Sequence, residues 1–146
     1  MLYQLPEGSL TLNGVWRDKT VNILMPEEVA VKGVNLVVAR DALTPEVSFG
    51  DYIATQRQNF QKELAGLTIL LDQGGAIDER PAHFLEFTWT NQGRRMHQMV
   101  MAINDQGRLV NFTASIPGSV DADLRAFLLD AIRSFKFRTA PGGSPA

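Results

Sequence analysis

The sequence predicts an α+β fold: one domain built on an antiparallel sheet of about six or seven strands with two main helices packed on it. Three observations carry this. Residues 80–116 hold three consecutive segments whose polarity alternates with a period of two. Two other segments, opening at Ser48 and at Ser119 or Asp121, repeat apolar residues at helical spacing. Two short apolar runs, 20–25 and 34–40, stop near Pro26 and Thr44-Pro45.

The chain opens with a predicted hairpin, Leu2 to Leu5 against Ser9 to Leu12 across Pro6-Glu7-Gly8, and Asn13-Gly14 marks a further turn. In the strand Thr20 to Met25, Val21 and Ile23 point one way and Asn22 and Leu24 the other. In Val34 to Arg40, Val34, Leu36 and Val38 oppose Val37 and Ala39. Both strands are apolar on both sides, which places them inside a sheet or between covering layers.

Ser48 and Asp51 have capping-box spacing, and Phe49, Ile53, Phe60, Leu64 and Leu67 form the buried stripe of the first helix, with Tyr52, Gln56 and Gln61 towards its edges. Thr68 to Leu71 reads as a short strand and Asp72-Gln73-Gly74-Gly75 as loop. After Pro117-Gly118, the second helix carries Val120, Leu124, Phe127, Leu128, Ala131, Ile132 and Phe135 on its apolar stripe. The domain is expected over residues 1–140, with 141–146 a flexible tail.

Three strands form the expected meander: Arg80 to Trp89, Arg94 to Ile103 and Arg108 to Ile116. A three-residue loop, Asn91-Gln92-Gly93, closes Thr90 on Arg94, and a four-residue turn, Asn104-Asp105-Gln106-Gly107, closes Ile103 on Arg108. In that register Leu85, Phe87, Met99, Met101, Val110 and Phe112 share a core face. The opposite face sets Gln98 beside Glu86 and Thr113, Val100 beside Phe84 and Asn111, and Met96 beside Thr88 and Ser115. Such a surface is apolar ground with hydrogen-bonding groups set into it.

Composition narrows the function. The chain has 146 residues, no cysteine and a net charge of −2 with both signs interspersed, which excludes a disulfide framework and argues against a nucleic-acid footprint. Neither a signal peptide nor an apolar run of about 18 residues is visible, so a cytoplasmic protein without membrane insertion is expected. His83 and His97 share a face in this register but lie about 13 Å apart, too far to share a metal. Glu86 is a lone carboxylate without a partner. No phosphate loop or nucleophile elbow is present. The expectation is a non-enzyme with no metal and no cofactor.

The order of elements resembles the PsbP-like and DcrB-like families. The likeness rests on Leu5-Pro6-Glu7-Gly8-Ser9-Leu10, on Trp16-Arg17-Asp18-Lys19-Thr20-Val21-Asn22-Ile23-Leu24, and on Ala131-Ile132-Arg133-Ser134-Phe135-Lys136-Phe137. Within this group it looks most like the Eag-type effector-associated chaperones of the bacterial type VI secretion system. The resemblance implies a dimeric adaptor that shields the hydrophobic N-terminal helices of a PAAR-containing effector and brings it to the secretion spike. No cofactor is implied. The mixed sheet face suits that task, and the expected client-binding residues are Val21, Ile23, Leu36, Val38, Phe84, Met96, Gln98, Val100, Asn111 and Thr113. Leu24 and Val37 compete with the first four, because both sides of those strands are apolar. A carrier or sensor of a small apolar molecule on the same face is the alternative.

Overall fold

The computed structural model describes residues 1–138; the expected tail, 141–146, and the last two residues of the expected domain lie outside them. Its elements are β1 (Leu2–Leu5), β2 (Gly8–Thr11), β3 (Asn22–Leu24), β4 (Asn35–Ala42), α1 (Phe49–Glu63), β5 (Thr68–Ile77), β6 (Arg80–Asn91), β7 (Arg94–Asp105), β8 (Arg108–Pro117) and α2 (Ala122–Arg133). β1 and β2 form a separate hairpin, while the other strands make one antiparallel sheet in the order β3-β4-β8-β7-β6-β5. The expected α+β class stands. The capping predictions hold as well: Ser48 Oγ accepts from the Asp51 N–H at 3.0 Å, and Asp121 Oδ1 accepts from the Leu124 N–H at 2.7 Å.

The hairpin turns are tighter than expected. Asn91 pairs with Arg94 and Asp105 with Arg108, which leaves the two-residue loops Gln92-Gly93 and Gln106-Gly107. All four loop residues have positive φ, as a twist-matched two-residue turn requires. A third such turn, Asp78-Glu79, joins β5 to β6 without any glycine. Gly74 and Gly75 therefore lie inside β5, not in a loop.

One residue fewer in the first loop turns every side chain of β6 over relative to β7. Val100 lies opposite Leu85 and Thr113, Gln98 opposite Phe87 and Ser115, and Met96 opposite Trp89 and Pro117. The second turn keeps the expected parity but slides by two, so Met99 meets Ala114 and Met101 meets Phe112. Phe84 consequently leaves the face of Val100 and joins that of Met101.

The helices lie on opposite faces of the sheet, so neither face is turned away from both. Leu124, Leu128, Leu129 and Ile132 of α2 pack on Phe84, Met99, Met101, Phe112, Ala114 and Val38 in the larger core. Phe60 and Leu64, at the C-terminal end of α1, join Leu67 and Ile69 against Leu85, Phe87 and Val100. The Phe60 and Phe87 rings sit 5.1 Å apart. Each fully buried side chain of this size contributes about 1.5–3 kcal/mol.

The α2 face also buries an ionic cluster that the mistaken register concealed. Glu86 is 4% exposed and accepts from Arg125 through both oxygens, at 2.7–3.1 Å, and from His97 Nε2 at 2.7 Å. Burial opposes its charge, but the Arg125 guanidinium and the His97 imidazole outweigh it and hold the carboxyl below its ordinary range. Glu86 is therefore neither alone nor beside Gln98. His83 lies on the other face, within 2.5 Å of Asp72, so the two histidines do not share a face.

Candidate functional site

The α1 face is laid out in rungs fixed by strand register. One rung reads Ile23, Val37, Thr113, Val100, Leu85; its neighbours read Asn35, Ser115, Gln98, Phe87, Ile69 and Ala39, Asn111, Ala102, His83. Exposure falls steeply along the first rung. Ile23 on the edge strand is 64% exposed, Val37 and Thr113 are half-buried, and Val100 is 4% exposed. The cause is the asymmetric placement of α1. Its aromatic and aliphatic stripe covers β6 and β7, and the β3–β4 half of the same face has no helix over it.

The boundary between the covered and open halves is polar. The Tyr52 hydroxyl, from the first turn of α1, accepts from Asn111 Nδ2 and from Gln56 Nε2, both at 2.9 Å. Burial pushes the Tyr52 phenol up, so it stays neutral and retains a proton to donate. The other oxygens of this network, Asn111 Oδ1 and Gln56 Oε1, are buried and accept no hydrogen bond among the described residues. Asn35 Oδ1, on the adjacent strand, is in the same state. A buried acceptor left unmatched costs about 1–3 kcal/mol. Three such oxygens next to open apolar ground make a surface that gains by receiving N–H or O–H donors.

Gln98 behaves differently. Its Oε1 accepts from Trp89 Nε1 at 2.8 Å, and its Nε2 donates to Ser115 Oγ at 2.7 Å. Both ends of this side chain are occupied, and it serves to brace β6, β7 and β8.

The ten expected binding residues divide accordingly. Ile23, Met96, Gln98, Val100, Asn111 and Thr113 share the α1 face, and Val21 is exposed just ahead of β3. Leu36, Val38 and Phe84 belong to the α2 face: Val38 and Phe84 are buried in its core, and Leu36 packs against it. Of the members on the right face, Val100 is roofed by the α1 cluster. Sequence reasoning passed over Tyr52, Gln56, Asn35 and Val37. The i, i+4 spacing of Tyr52 and Gln56 placed both at one edge of the helix stripe, which was the available signal.

Among the described residues, no helix is long and apolar enough to cross a membrane, and no cluster of three or more His, Asp or Glu side chains is arranged to hold a metal. Residues 7–134 match the profile of the family described as DcrB. The chain is 31% identical over 94 residues to Effector EagT6 of Pseudomonas aeruginosa. That alignment spans 64% of this chain and 65% of the relative, a little under two-thirds of each. The crystal structure of PA94, a Pseudomonas aeruginosa protein of unknown function, superposes with a TM-score of 0.77 at 25% identity, over 96% of this chain and 98% of that one. The solution structure of cyanobacterial PsbP from Synechocystis shows 14% identity and a TM-score of 0.45, over 88% and 94% of the two chains.

Proposed function

The chain belongs to the DcrB family, and on that premise we propose that it is a non-enzymatic, effector-associated adaptor of the type VI secretion system. In this reading it works in the cytoplasm as a homodimer. It holds the hydrophobic N-terminal helices of a PAAR-containing effector on the open half of the α1 face until the effector reaches the secretion spike. The kinship with Effector EagT6 and the resemblance to Eag-type chaperones support the partner class.

The observation that carries the reading is the pairing of exposed aliphatic side chains with unmatched buried acceptors. Ile23 and Val37 offer apolar contact, while Asn35, Gln56 and Asn111 offer oxygens that accept nothing from the described residues. A membrane-destined helix in water has both needs. Covering its apolar surface is worth about 25 cal/mol per Å². Its serine, threonine and small-residue positions also expose donors that have to be satisfied when buried. Neither a flat apolar patch nor a solvated polar one would serve both.

The test is co-expression with the hydrophobic N-terminal region of a PAAR effector. That region is expected to stay soluble and to copurify with the chain. If it aggregates with or without the chain, and the purified chain instead carries lipid or detergent in native mass spectrometry, the face belongs to a small apolar ligand.

A further inference from the structure

The six-stranded sheet has two free edges, and they are built differently. The β5 edge is interrupted between Ile69 and Leu71 by a register shift. It also contains Gly74 and Gly75, and Asp72 there is tied to Arg57 at 2.7 Å and to His83. Bulges and inward-held charges are the usual means of stopping an edge from recruiting another strand. The β3 edge has no such device. Its pairing with β4 is continuous, and Val21, Ile23, Leu24 and Met25 are 50%, 64%, 55% and 64% exposed. Brevity is its one protection.

The residues around this edge are self-complementary. The apolar run Val21 to Met25 is centred on Ile23, and it is flanked four residues before by Lys19 and four residues after by Glu27, both exposed. An antiparallel strand pair related by a two-fold axis at Ile23 sets Asn22 against Leu24 and Val21 against Met25 of the other copy, and brings each Lys19 towards a Glu27. Neither charge has an ion-pair partner among the described residues. The ladder would stop where Pro26, which has no N–H, faces Thr20, whose N–H already donates to Asp18 Oδ1 at 2.9 Å.

We infer that β3 pairs antiparallel with β3 of a second copy of this chain, joining two six-stranded sheets edge to edge through Ile23. The interface is isologous, so it closes as a dimer and cannot propagate. Its consequence rests on the proposed function. The open halves of two α1 faces become neighbours across the axis, and Ile23 of each copy extends the rung Val37–Thr113 of the other. A sheet of that width curls, which turns two shallow surfaces into one trough.

Sedimentation equilibrium on the full chain tests this with Ile23→Lys, Lys19→Glu and the double variant Lys19→Glu/Glu27→Lys, each checked for an unchanged thermal midpoint. These side chains are exposed, so folding is expected to survive. Wild type is expected to be a dimer, and Ile23→Lys to weaken it by about a hundredfold, as a charge at the axis meets its own copy. Lys19→Glu loses about tenfold through its two symmetric pairs, and the double variant recovers it. A monomeric wild type, a dimer indifferent to Ile23→Lys, or a double variant no tighter than Lys19→Glu alone each overturns the inference. Client solubility is measured in parallel. A monomer that still shelters its client sinks the pairing and spares the proposed function. A dimer with the expected mutational pattern and no sheltering does the reverse.

Discussion

Two substitutions of the same chemistry, Val37→Asp and Val100→Asp, are expected to behave in opposite ways. Both residues stand on the same rung of the α1 face, separated by Thr113. Val100 is 4% exposed and packs with Leu85 and Phe87 beneath Phe60 and Leu64. A carboxylate there forfeits about 1.5–3 kcal/mol of buried valine and adds the cost of an unpaired charge, so a total of about 4 kcal/mol or more is expected. For a chain of this size that lowers the thermal midpoint by about 10–15 °C. Val37 is only half-buried and borders the exposed Ile23, so an aspartate there can reach water, and its cost stays below about 1 kcal/mol.

With a client bound the order reverses. Val37→Asp would place an unpaired carboxylate under an apolar helix and weaken sheltering by about a hundredfold, whereas Val100→Asp acts only through lost fold stability. Differential scanning fluorimetry of the free chain, together with the soluble fraction of a co-expressed client, separates the two effects. Val37→Asp with normal stability and undiminished sheltering would refute the placement of the site. Val100→Asp with normal stability and no sheltering would mean that α1 lifts away to admit the client.

Three further outcomes follow from the geometry. Glu86→Gln is expected to lower stability at neutral pH by about 1–3 kcal/mol, because Arg125 and His97 lose a buried charged partner. Its wild-type contribution is present in full above the ordinary glutamate range and fades as pH falls through the depressed folded value, so acid titration of the midpoint should be shallower in the variant. Phe84→Ala should cost about 3–5 kcal/mol through the α2 core and leave client sheltering intact at temperatures where the variant is folded. Gln92→Asn should raise the midpoint by a degree or two, since Asn-Gly is the preferred pair for a turn with both central φ angles positive. A lowered midpoint would count against the two-residue turn.

The sequence revealed class, element order and both helix caps because those depend on local chemistry: periodicity, capping side chains, proline and glycine breaks. Face assignment failed at one place. Asn91-Gln92-Gly93 admits either a three-residue or a two-residue loop, and glutamine at a positive-φ position gives no signal comparable to asparagine. That single residue moved Phe84 to the wrong face, put His83 and His97 on one side, and hid the Glu86 cluster. The β3 and β4 ambiguity was of another kind. Ile23 belongs with Val37, not with Leu36 and Val38, and only the pairing partner decides which parity faces which helix. Gly74-Gly75 was misplaced because glycine inside a long edge strand has the same local look as a loop.

The sheet is stitched together at very different ranges. β5 through β8 are joined by three two-residue turns, so each pairs with its neighbour in sequence. β4 instead reaches β8 across α1 and the whole meander, with Asn35 opposite Ser115. Closing that one distant contact carries most of the chain-entropy cost of the fold, which makes β3 and β4 the last strands to dock and the first to come away. Amide exchange should therefore be fast in β3 and β4 while β6 and β7 remain protected. The flap that loosens is the half of the α1 face proposed to hold the client, so cargo release can proceed by peeling one edge from a sheet that stays folded.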